Sequence, residues 1–363
     1  MAEPDAIDAE SLDSHLGMLF RESSRGAGRR APLYRRLAEA IAEDPDVSRL
    51  LLHAPPDQRL PVLLFACVHW ILLREPRHEL RLWYPNLVPE PESGDPYPAF
   101  REFCRREEHQ LSELLATRST QTNEVGRCAI FLPALAELAD EVGPLAHLDV
   151  GASAGLNLLL DRYRYRFHSD DSPTTTVGES SPVVIECAIR GPVPIPSSLP
   201  PIIDRLGLDR SPVDVGDRDA TSWLQACVWP DQADRFERLG AALEMARAMR
   251  PPIVTGDAVD HLAAAVSRLD PAGHPVVTNS WVLNYLGEDR RRDYVAELDR
   301  VGATRELTWC FAESPAQTSG LPFPAGSDRP GLTHLVRVDW RGGDRTVRHL
   351  AVVHPHGFWL DWS

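Results

Sequence analysis

The spacing of hydrophobic residues changes near residue 145 of the chain. Before that point, apolar residues recur every three or four positions, which is the spacing of an amphipathic helix. The segments with this pattern are 32–41, 60–73, 101–116 and 124–141, and a proline-rich stretch at 84–98 separates the second from the third. We therefore predict an all-α N-terminal domain over about residues 1–120.

After residue 145, short runs of β-branched residues alternate with helical patterns. Predicted strands lie at 183–185, 252–255, 275–278 and 306–311, and predicted helices lie at 232–249 and 258–269. This alternation is typical of a parallel sheet with right-handed crossovers. Two more β-rich segments, 334–340 and 346–353, flank Gly342-Gly343 and predict an antiparallel hairpin. Residues 121–363 are thus predicted to form an α/β domain with a doubly wound, mostly parallel sheet and a C-terminal hairpin.

The composition excludes several classes of protein. The net charge of −15 argues against nucleic-acid binding, because such binding needs basic faces that neutralise phosphates. The apolar run at 60–73 is too short to span a membrane, and the acidic start has no signal-peptide pattern. Six cysteines without a C-x-x-C pair predict reduced thiols in a cytoplasmic protein that has no metal site.

The chain contains no lysine, so all 38 basic residues are arginine. Schiff-base chemistry, including that of pyridoxal phosphate, needs an amine that can lose its proton, and arginine cannot supply one. A P-loop needs its lysine on the transferred phosphate. Both chemistries are therefore excluded.

Residues 148–157, Leu-Asp-Val-Gly-Ala-Ser-Ala-Gly-Leu-Asn, fit two different chemistries. As Asp-x-Gly-x-x-x-Gly, they form a strand that turns into a helix whose N-terminus holds the polar tail of a nucleotide-like cofactor. As Gly-x-Ser-x-Gly, they form a nucleophile elbow with Ser153 as the attacking hydroxyl.

The elbow interpretation requires a hydrolase context that the chain does not supply. Several strands and a loop that is often rich in glycine precede the elbow in an α/β-hydrolase, whereas the residues before this turn are predicted helical and contain no Gly-Gly pair. A Ser, acid, His order is available through Ser153, Asp257 and His354 or His356, but 13 histidines make such a match common by chance. The cofactor interpretation is favoured, and a serine esterase is the alternative.

The turn resembles that of class I S-adenosylmethionine-dependent methyltransferases, whose first strand ends in acid-x-Gly-x-Gly-x-Gly. The chain has Asp149, Gly151 and Gly155 in this pattern and Ser153 at the middle glycine. The resemblance implies a methyltransferase-like Rossmann domain with S-adenosylmethionine as its cofactor. It implies that the methionine part of the cofactor is held by Asp149, Gly151, Ala152, Ser153, Gly155 and Asn157.

The same resemblance implies cofactor contacts at the ends of later strands. For the acid that holds the ribose hydroxyls, Glu186 is the best match and Asp214 is its rival. Gly256-Asp257-Ala258 matches the segment whose acid binds the adenine amino group, so Asp257 and Ala258 are expected there. The segment after the fourth strand faces the transferred methyl group. Asn279 and Ser280 are expected to bind the cofactor there, and the substrate or the pocket mouth is expected to involve Trp281, Asn284 and Tyr285.

Two further motifs have structural and functional interpretations. Thr122 or Asn123 fits a helix N-cap, but Asn123, Glu124 and Arg127 are also expected at the mouth of the cofactor pocket, with Arg127 pairing a carboxylate through two bonds. His354 and His356 lack a third ligand at metal-binding spacing, which favours a loop at the end of the hairpin.

The predicted function is methyl transfer from S-adenosylmethionine to an unidentified small-molecule or protein acceptor, with no nucleic-acid or membrane partner. The alternatives are an esterase that uses Ser153 and a methyltransferase-like protein that binds the cofactor without transfer. The whole chain is also similar to an uncharacterised bacterial family, a domain of unknown function, through its motifs at 121–127, 151–157, 226–231 and 354–357.

Overall fold

The computed structural model describes residues 9–169, 172–323 and 331–363. Residues 1–8, which carry the expectation that no signal peptide is present, lie outside this range. Contacts divide the chain into two compact units. The helical unit comprises the chain up to Thr122 together with Asp217–Gly240, and the sheet unit comprises Asn123–Gly216 and Ala241–Ser363. Residues 217–240, which fall within the predicted α/β domain, therefore group with the N-terminal helices.

The helices, in chain order, are α1 (Ala9–Ala27), α2 (Pro32–Ile41), α3 (Pro45–Ser48), α4 (Pro61–Arg74), α5 (Tyr97–Arg106), α6 (Glu108–Thr117), α7 (Cys128–Val142), α8 (Arg218–Ala226), α9 (Ala233–Met249), α10 (Leu262–Arg268) and α11 (Glu288–Gly302). Short 3₁₀ helices lie at Arg49–His53, Pro56–Gln58, Glu79–Trp83, Val125–Arg127, Leu156–Arg162 and Leu283–Tyr285. Within the described ranges, none of the helices has both the length and the apolarity to cross a membrane.

The core of the helical unit contains α4, which is buried on nearly every side. Pro61 begins this helix, where a missing N–H leaves no hydrogen bond unmade, and the apolar run that follows fills the core. Phe65 stacks on Tyr34 of α2 with ring centroids 4.4 Å apart. The single helix predicted over 101–116 is wrong, because Glu107 leaves the helical backbone conformation and separates α5 from α6.

Side-chain hydrogen bonds attach residues 217–240 to the other helices of their unit. The indole N–H of Trp223 donates to the Ser119 carbonyl at 2.9 Å. The Asp231 carboxylate accepts the N–H of Leu33, at the start of α2, at 3.2 Å. Residues 226–231, one of the motifs shared with the bacterial family, therefore have a role in packing the helical unit.

The sheet unit contains the strands β1 (Leu145–Val150), β2 (Arg164–Ser169), β3 (Ser172–Val177), β4 (Val184–Arg190), β5 (Ile202–Asp209), β6 (Ile253–Thr255), β7 (His274–Ser280), β8 (Leu307–Glu313), β9 (Thr333–Arg341), β10 (Asp344–Val353) and β11 (Trp359–Trp362). They form one sheet in the order β3-β2-β4-β11-β10-β9-β8-β7-β1-β5-β6. The predicted α/β class and its large, mostly parallel sheet are confirmed. The antiparallel pairing of β9 with β10 confirms the predicted hairpin.

Five neighbouring strands, β6-β5-β1-β7-β8, pair in parallel. Numbered along the chain, their order is 3-2-1-4-5, the order found in doubly wound α/β folds. The winding direction reverses between β1 and β7, and ligands of such sheets bind outside the carboxyl ends of the strands at this switch point. The switch point here lies between Val150 and Ser280.

Four strands had no counterpart in the sequence-based prediction: β2, β3, β5 and β11. β5 was missed because Asp204 and Arg205 interrupt its apolar pattern. In the structure, Arg205 pairs with Asp161 at 2.8 Å. In β2 a signal was present, because the buried Tyr165 and Phe167 alternate with polar residues.

Candidate functional site

The turn after β1 is tightly packed at the switch point. Gly151 has φ +78°, and a Cβ at this position would overlap the side chain of Val282. Gly155 has φ +72°. On the other side, a Cβ on Gly207 of β5 would approach that of Ala152 to 2.8 Å. Gly151 is therefore required by both the backbone conformation and the lack of space.

Ser153, at the centre of the turn, has a left-handed backbone with φ +52°. The helix expected after the turn is a 3₁₀ helix, Leu156–Arg162, in which Leu159 leaves the helical conformation. Such a short and irregular segment lacks the aligned peptides of an α-helix, so the predicted cofactor contact through a helix N-terminus is not supported. The Asn157 side chain is already engaged, because its Oδ1 accepts from Cys128 Sγ at 3.4 Å.

Asp149, the last acid of β1, has one engaged and one unengaged carboxylate oxygen. Oδ1 accepts a hydrogen bond from the Thr278 hydroxyl at 2.8 Å, whereas Oδ2 is buried without a hydrogen-bond partner in the described part of the chain. Burial raises the pKa of Asp149 to about 7, and the nearby Asp209 also raises it, against the lowering effects of Thr278 and Arg127. The carboxyl is thus suited to a ligand cation that would complete its hydrogen bonding.

The acid that ends the strand beside β1 is Asp209, which sequence analysis missed. Its Oδ2 accepts the N–H of Ser153 at 2.8 Å, and its Oδ1 accepts the N–H of Ser211 at 2.8 Å. Asp209 thereby fixes the turn and presents a carboxylate at the switch point. The Asp-Arg pair inside β5 obscured this strand, and with it the acid at its end.

The structure does not place Glu186 at the turn. Glu186 lies in β4, which pairs with β2 and β11 and not with β1. Its half-exposed carboxylate pairs with Arg166 at 3.1 Å. Its rival Asp214 lies in the loop after β5 and accepts the N–H of Gly216 at 2.8 Å. The expected position of Glu186 is therefore corrected: the acid at the end of the strand beside β1 is Asp209 and not Glu186.

The loop after β6 lies next to the end of β5, where the Gly256 N–H donates to the Asp209 carbonyl at 2.9 Å. Oδ1 of Asp257 accepts the N–H of Val259 at 2.8 Å and pairs with Arg290 at 2.6 Å. Burial alone would raise the pKa of Asp257, but these backbone and arginine contacts lower it overall. Asp257 and the adjacent Ala258 thus border the strand ends, with one oxygen of Asp257 used to hold the loop.

Asn279 is a core residue, contrary to the expected cofactor contact. Its Nδ2 donates to Glu313 Oε1 at 2.8 Å, and its Oδ1 accepts from the Trp309 indole at 2.7 Å. The Asn279 side chain is completely buried. Asn279 is the penultimate residue of β7, whose residues 275–280 are all buried, so both faces of the strand lie in the core here.

The loop after β7 is held by Glu313, a second residue that sequence analysis missed. The Glu313 carboxylate accepts the N–H groups of Val282 at 3.0 Å and Leu283 at 3.2 Å. Burial raises the pKa of Glu313. Trp281 is strained, with φ +54°. Two of the three non-glycine residues with positive φ in the described ranges, Ser153 and Trp281, thus follow the two strands that define the switch point.

Three buried polar atoms on this loop have no partner among the described residues: Ser280 Oγ, Trp281 Nε1 and Asn284 Oδ1. Tyr285, by contrast, is 80% exposed. The loop therefore combines buried polar atoms that can bind a ligand with an aromatic ring accessible from solvent.

The segment before α7 connects both sides of the switch point. Asn123 Nδ2 donates to the Ala152 carbonyl of the turn at 3.2 Å, and Arg127 Nη1 donates to the Ser280 carbonyl at 2.8 Å. Arg127 Nε donates to the Pro355 carbonyl at 2.8 Å. These two carbonyls thus engage two of the guanidinium donors of Arg127. The 3₁₀ helix Val125–Arg127 is capped by Glu124, and not by Thr122 or Asn123.

The histidine-containing loop at 354–357 joins the same cluster through Pro355 and through an ion-pair contact of His356 Nδ1 with Glu124 Oε2 at 3.5 Å. No group of three or more potential metal ligands is present in the ranges that the structure describes. The motif at 121–127 thus contacts two of the other motifs shared with the bacterial family, 151–157 and 354–357.

A groove of about 660 Å³ lies in the helical unit, between the end of α4 and α5. It is lined by arginine and glutamate side chains, among them Arg74, Arg77 and Glu102, and by His78. None of the strand-end residues lines this groove.

Comparison with curated proteins finds no match. The family model described as "Uncharacterized protein conserved in bacteria (DUF2332)" matches residues 18–362, nearly the whole chain. The chain therefore belongs to the DUF2332 family.

Proposed function

We propose that the carboxyl ends of β1, β5, β6 and β7 bind S-adenosylmethionine, and that the protein is a cytoplasmic methyltransferase acting on a small-molecule or protein acceptor. The observation that carries this proposal is the buried Asp149 carboxyl, whose unpartnered oxygen lies at the switch point beside a turn that only glycine permits at residue 151. The ammonium group of the cofactor is a cation that would supply the missing hydrogen bond.

The neighbouring residues fit the rest of this ligand. Each carboxylate oxygen of Asp209 accepts one backbone N–H, and a carboxylate oxygen can accept two hydrogen bonds. Asp209 can therefore also receive the two ribose hydroxyls. The loop of Asp257 and Ala258 lies next to Asp209, as expected for the adenine end of the ligand.

When bound, S-adenosylmethionine supplies a methyl group that is already activated on a sulfonium. The protein has to align an acceptor with that group, and alignment is itself a large part of catalysis. Glu313 and Arg127 fix the loop that begins at Ser280, and Tyr285 on this loop offers an exposed aromatic face to an acceptor. Acceptor recognition is therefore assigned to this loop.

Calorimetry with S-adenosylmethionine and S-adenosylhomocysteine tests the proposal. We expect wild type to bind both ligands, Asp149→Ala to lose binding, and Asp209→Ala to bind at least tenfold more weakly, a loss of about 1.4 kcal/mol. Asp214→Ala is the matched control, because Asp214 is an acid of the same loop that only closes a local turn. Failure of wild type to bind at millimolar ligand contradicts the proposal. Binding of the cofactor without turnover on any acceptor would identify a cofactor-binding protein instead.

A serine esterase is the second candidate, and the strained backbone of Ser153 is the observation that favours it. A nucleophile elbow holds its serine on such a sharp turn. The candidate triad acid Asp257, however, pairs with Arg290 and holds its own loop. Labelling of the protein by a fluorophosphonate probe, abolished in Ser153→Ala, would establish the esterase.

A further inference from the structure

The loop at 354–357 is fixed against the segment before α7 by its backbone. Gly357 has φ +74°, and a Cβ there would overlap the carbonyl oxygen of Gly126. Arg127 Nε donates to the Pro355 carbonyl at 2.8 Å. His354 Nδ1 accepts the N–H of His356 at 3.0 Å, which fixes the loop internally. These contacts fix the position of the His356 backbone.

The His356 ring lies beside the buried carboxylate of Glu124. Oε1 of Glu124 accepts the Gly126 N–H at 2.9 Å, and Oε2 is 3.5 Å from His356 Nδ1. The Glu124 side chain is only 3% exposed, whereas that of His356 is 31% exposed. A carboxylate beside Nδ1 favours a proton on that nitrogen, so that Nε2 becomes the nitrogen that accepts one. This is the arrangement of a catalytic base oriented by an acid, whose hydrogen bond is often long before substrate binds.

The same contacts place this pair at the switch point. One guanidinium, that of Arg127, binds both the Pro355 carbonyl next to His356 and the Ser280 carbonyl at the end of β7. The residue before Glu124, Asn123, donates to the Ala152 carbonyl of the turn after β1. The pair therefore lies beside both strands that define the proposed cofactor site.

We propose that His356 is the general base of the proposed methyltransferase and that Glu124 positions it, so this inference rests on the proposed function. The acceptor is then a hydroxyl or amine that must lose a proton. Its oxygen or nitrogen forms the new bond to the methyl carbon, and the electron pair of the broken carbon–sulfur bond stays on sulfur. The proton of the acceptor passes to Nε2 of His356.

Charged and titratable groups from two elements lie near His356. Glu124 and Arg127 belong to the segment before α7, and His354 belongs to the same loop, with its ring centroid 5.6 Å from that of His356. The negative Glu124 stabilises the imidazolium that forms when His356 takes a proton, and the positive Arg127 opposes it. Glu124→Gln should therefore move the pH profile of transfer to lower pH.

Nitrogen-15 NMR of histidine-labelled protein tests the pair without any acceptor. The His356 signals are assigned by their loss in His356→Gln. At high pH we expect the Nδ1–H tautomer in wild type and the Nε2–H tautomer in Glu124→Gln, because the carboxylate that selects the tautomer is then absent. A merely structural role of Glu124 would not change the tautomer. The same tautomer in both proteins overturns the proposal.

Transfer rates test the role of the base, with S-adenosylmethionine as donor and phenol, ethanolamine and 2-mercaptoethanol as acceptors. We expect His356→Gln to lower the rate with phenol or ethanolamine by about 100-fold or more. The rate with the thiol at about pH 9 should persist, because a substantial fraction of the thiol is already ionised there. His168→Gln is the matched control, since His168 of β2 lies 3.9 Å from Glu186 of β4 in an exposed pair.

The outcomes separate the two proposals. If calorimetry shows the cofactor to bind, equal losses with all three acceptors, or no transfer by wild type to any of them, overturn the assignment of His356 as base but not the cofactor site. If wild type binds no cofactor, the proposed function fails, and the assignment of His356 as its base fails with it. The NMR comparison then still shows whether Glu124 orients His356.

Discussion

His69 in the helical unit and Asp149 in the sheet unit are both buried titratable side chains, but they differ in how fully they are hydrogen-bonded. His69 Nδ1 donates to the Ala226 carbonyl at 3.0 Å, and its Nε2 accepts from Asn86 Nδ2 at 3.0 Å. Burial lowers the pKa of His69 to about 4. Asp149 has one bonded oxygen and one that is unpartnered among the described residues, and burial raises its pKa to about 7. Burial shifts both groups toward the uncharged form, but only Asp149 leaves room for a ligand.

The difference follows from the architecture of the two regions. Around His69, residues from α4 and from 217–240 complete each other's hydrogen bonds within one helical core. At the switch point, parallel strands end together, and the loops that leave them diverge. Two of the three non-glycine residues with positive φ among the described residues are also here, Ser153 after β1 and Trp281 after β7. Such strain persists where the surrounding structure imposes it, which is common at functional sites.

The comparison predicts that His69 affects stability and not ligand binding. His69→Ala removes a buried ring and leaves the Ala226 carbonyl and the Asn86 amide without a partner. We expect the free energy of unfolding to fall by about 3 kcal/mol. Urea unfolding measures this loss, and calorimetry should show unchanged affinity for S-adenosylhomocysteine. A weaker affinity in the folded variant would contradict the separation of the two roles.

Asp149 should make the stability of the protein depend on pH. Its pKa is about 7 in the folded protein and near 3.8 when unfolded, so the folded state holds the proton more tightly. The unfolding free energy therefore falls as pH rises through this window, and the fall is complete above pH 7. Between pH 5 and 8, wild type should lose about 2 to 3 kcal/mol that Asp149→Asn does not lose. Parallel pH curves from urea unfolding of the two proteins would show this expectation to be wrong.

Ligand binding should follow the same titration. Because an ammonium group favours ionised Asp149, the affinity for S-adenosylhomocysteine should rise with pH up to about 7 and then level off. Calorimetry across this range measures the effect, and Asp149→Asn should abolish it.

Alanine substitutions at two glycines distinguish the effect of crowding from the effect of backbone strain. Gly151 and Gly342 both have positive φ, +78° and +59°, but only at Gly151 would an added Cβ have a neighbour within 4 Å. Gly151→Ala should destabilise the protein by about 2 kcal/mol more than Gly342→Ala, because Val282 has to move. Equal losses in urea unfolding would mean that the turn has more space than the contacts indicate.

Two acids give the smallest expected effects. Asp209→Asn leaves one acceptor oxygen where two now hold backbone N–H groups, and it should weaken S-adenosylhomocysteine binding by about tenfold, or about 1.4 kcal/mol. Glu186→Gln should change neither the affinity nor the stability by more than about 0.5 kcal/mol, since its pair with Arg166 is half-exposed. If Glu186→Gln weakened S-adenosylhomocysteine binding more than Asp209→Asn did, Glu186 and not Asp209 would be the acid that binds the ribose.

Sequence patterns predicted those helices and strands whose own hydrophobic pattern matches their burial in the fold. The buried run of α4, the β-branched runs of β6 and β7, and the alternation of β9 and β10 around Gly342-Gly343 were all visible. β5 was not visible, because Asp204 and Arg205 are acceptable in a strand only where Asp161 and the backbone of Asp270 receive them. Periodicity cannot detect a partner that is distant in sequence.

The sequence by itself determined the fold class, the strand–turn motif at 149–155, and the exclusion of lysine chemistry. Only the tertiary structure decided which acids share the switch point, because strand order is set by pairing and not by position along the chain. It brought Asp209 to the turn, placed Glu186 in another part of the sheet, and joined Glu124 to His356. It also showed that Asn279 lies in the core, because Glu313 and Trp309, which are distant in sequence, take up its side-chain amide.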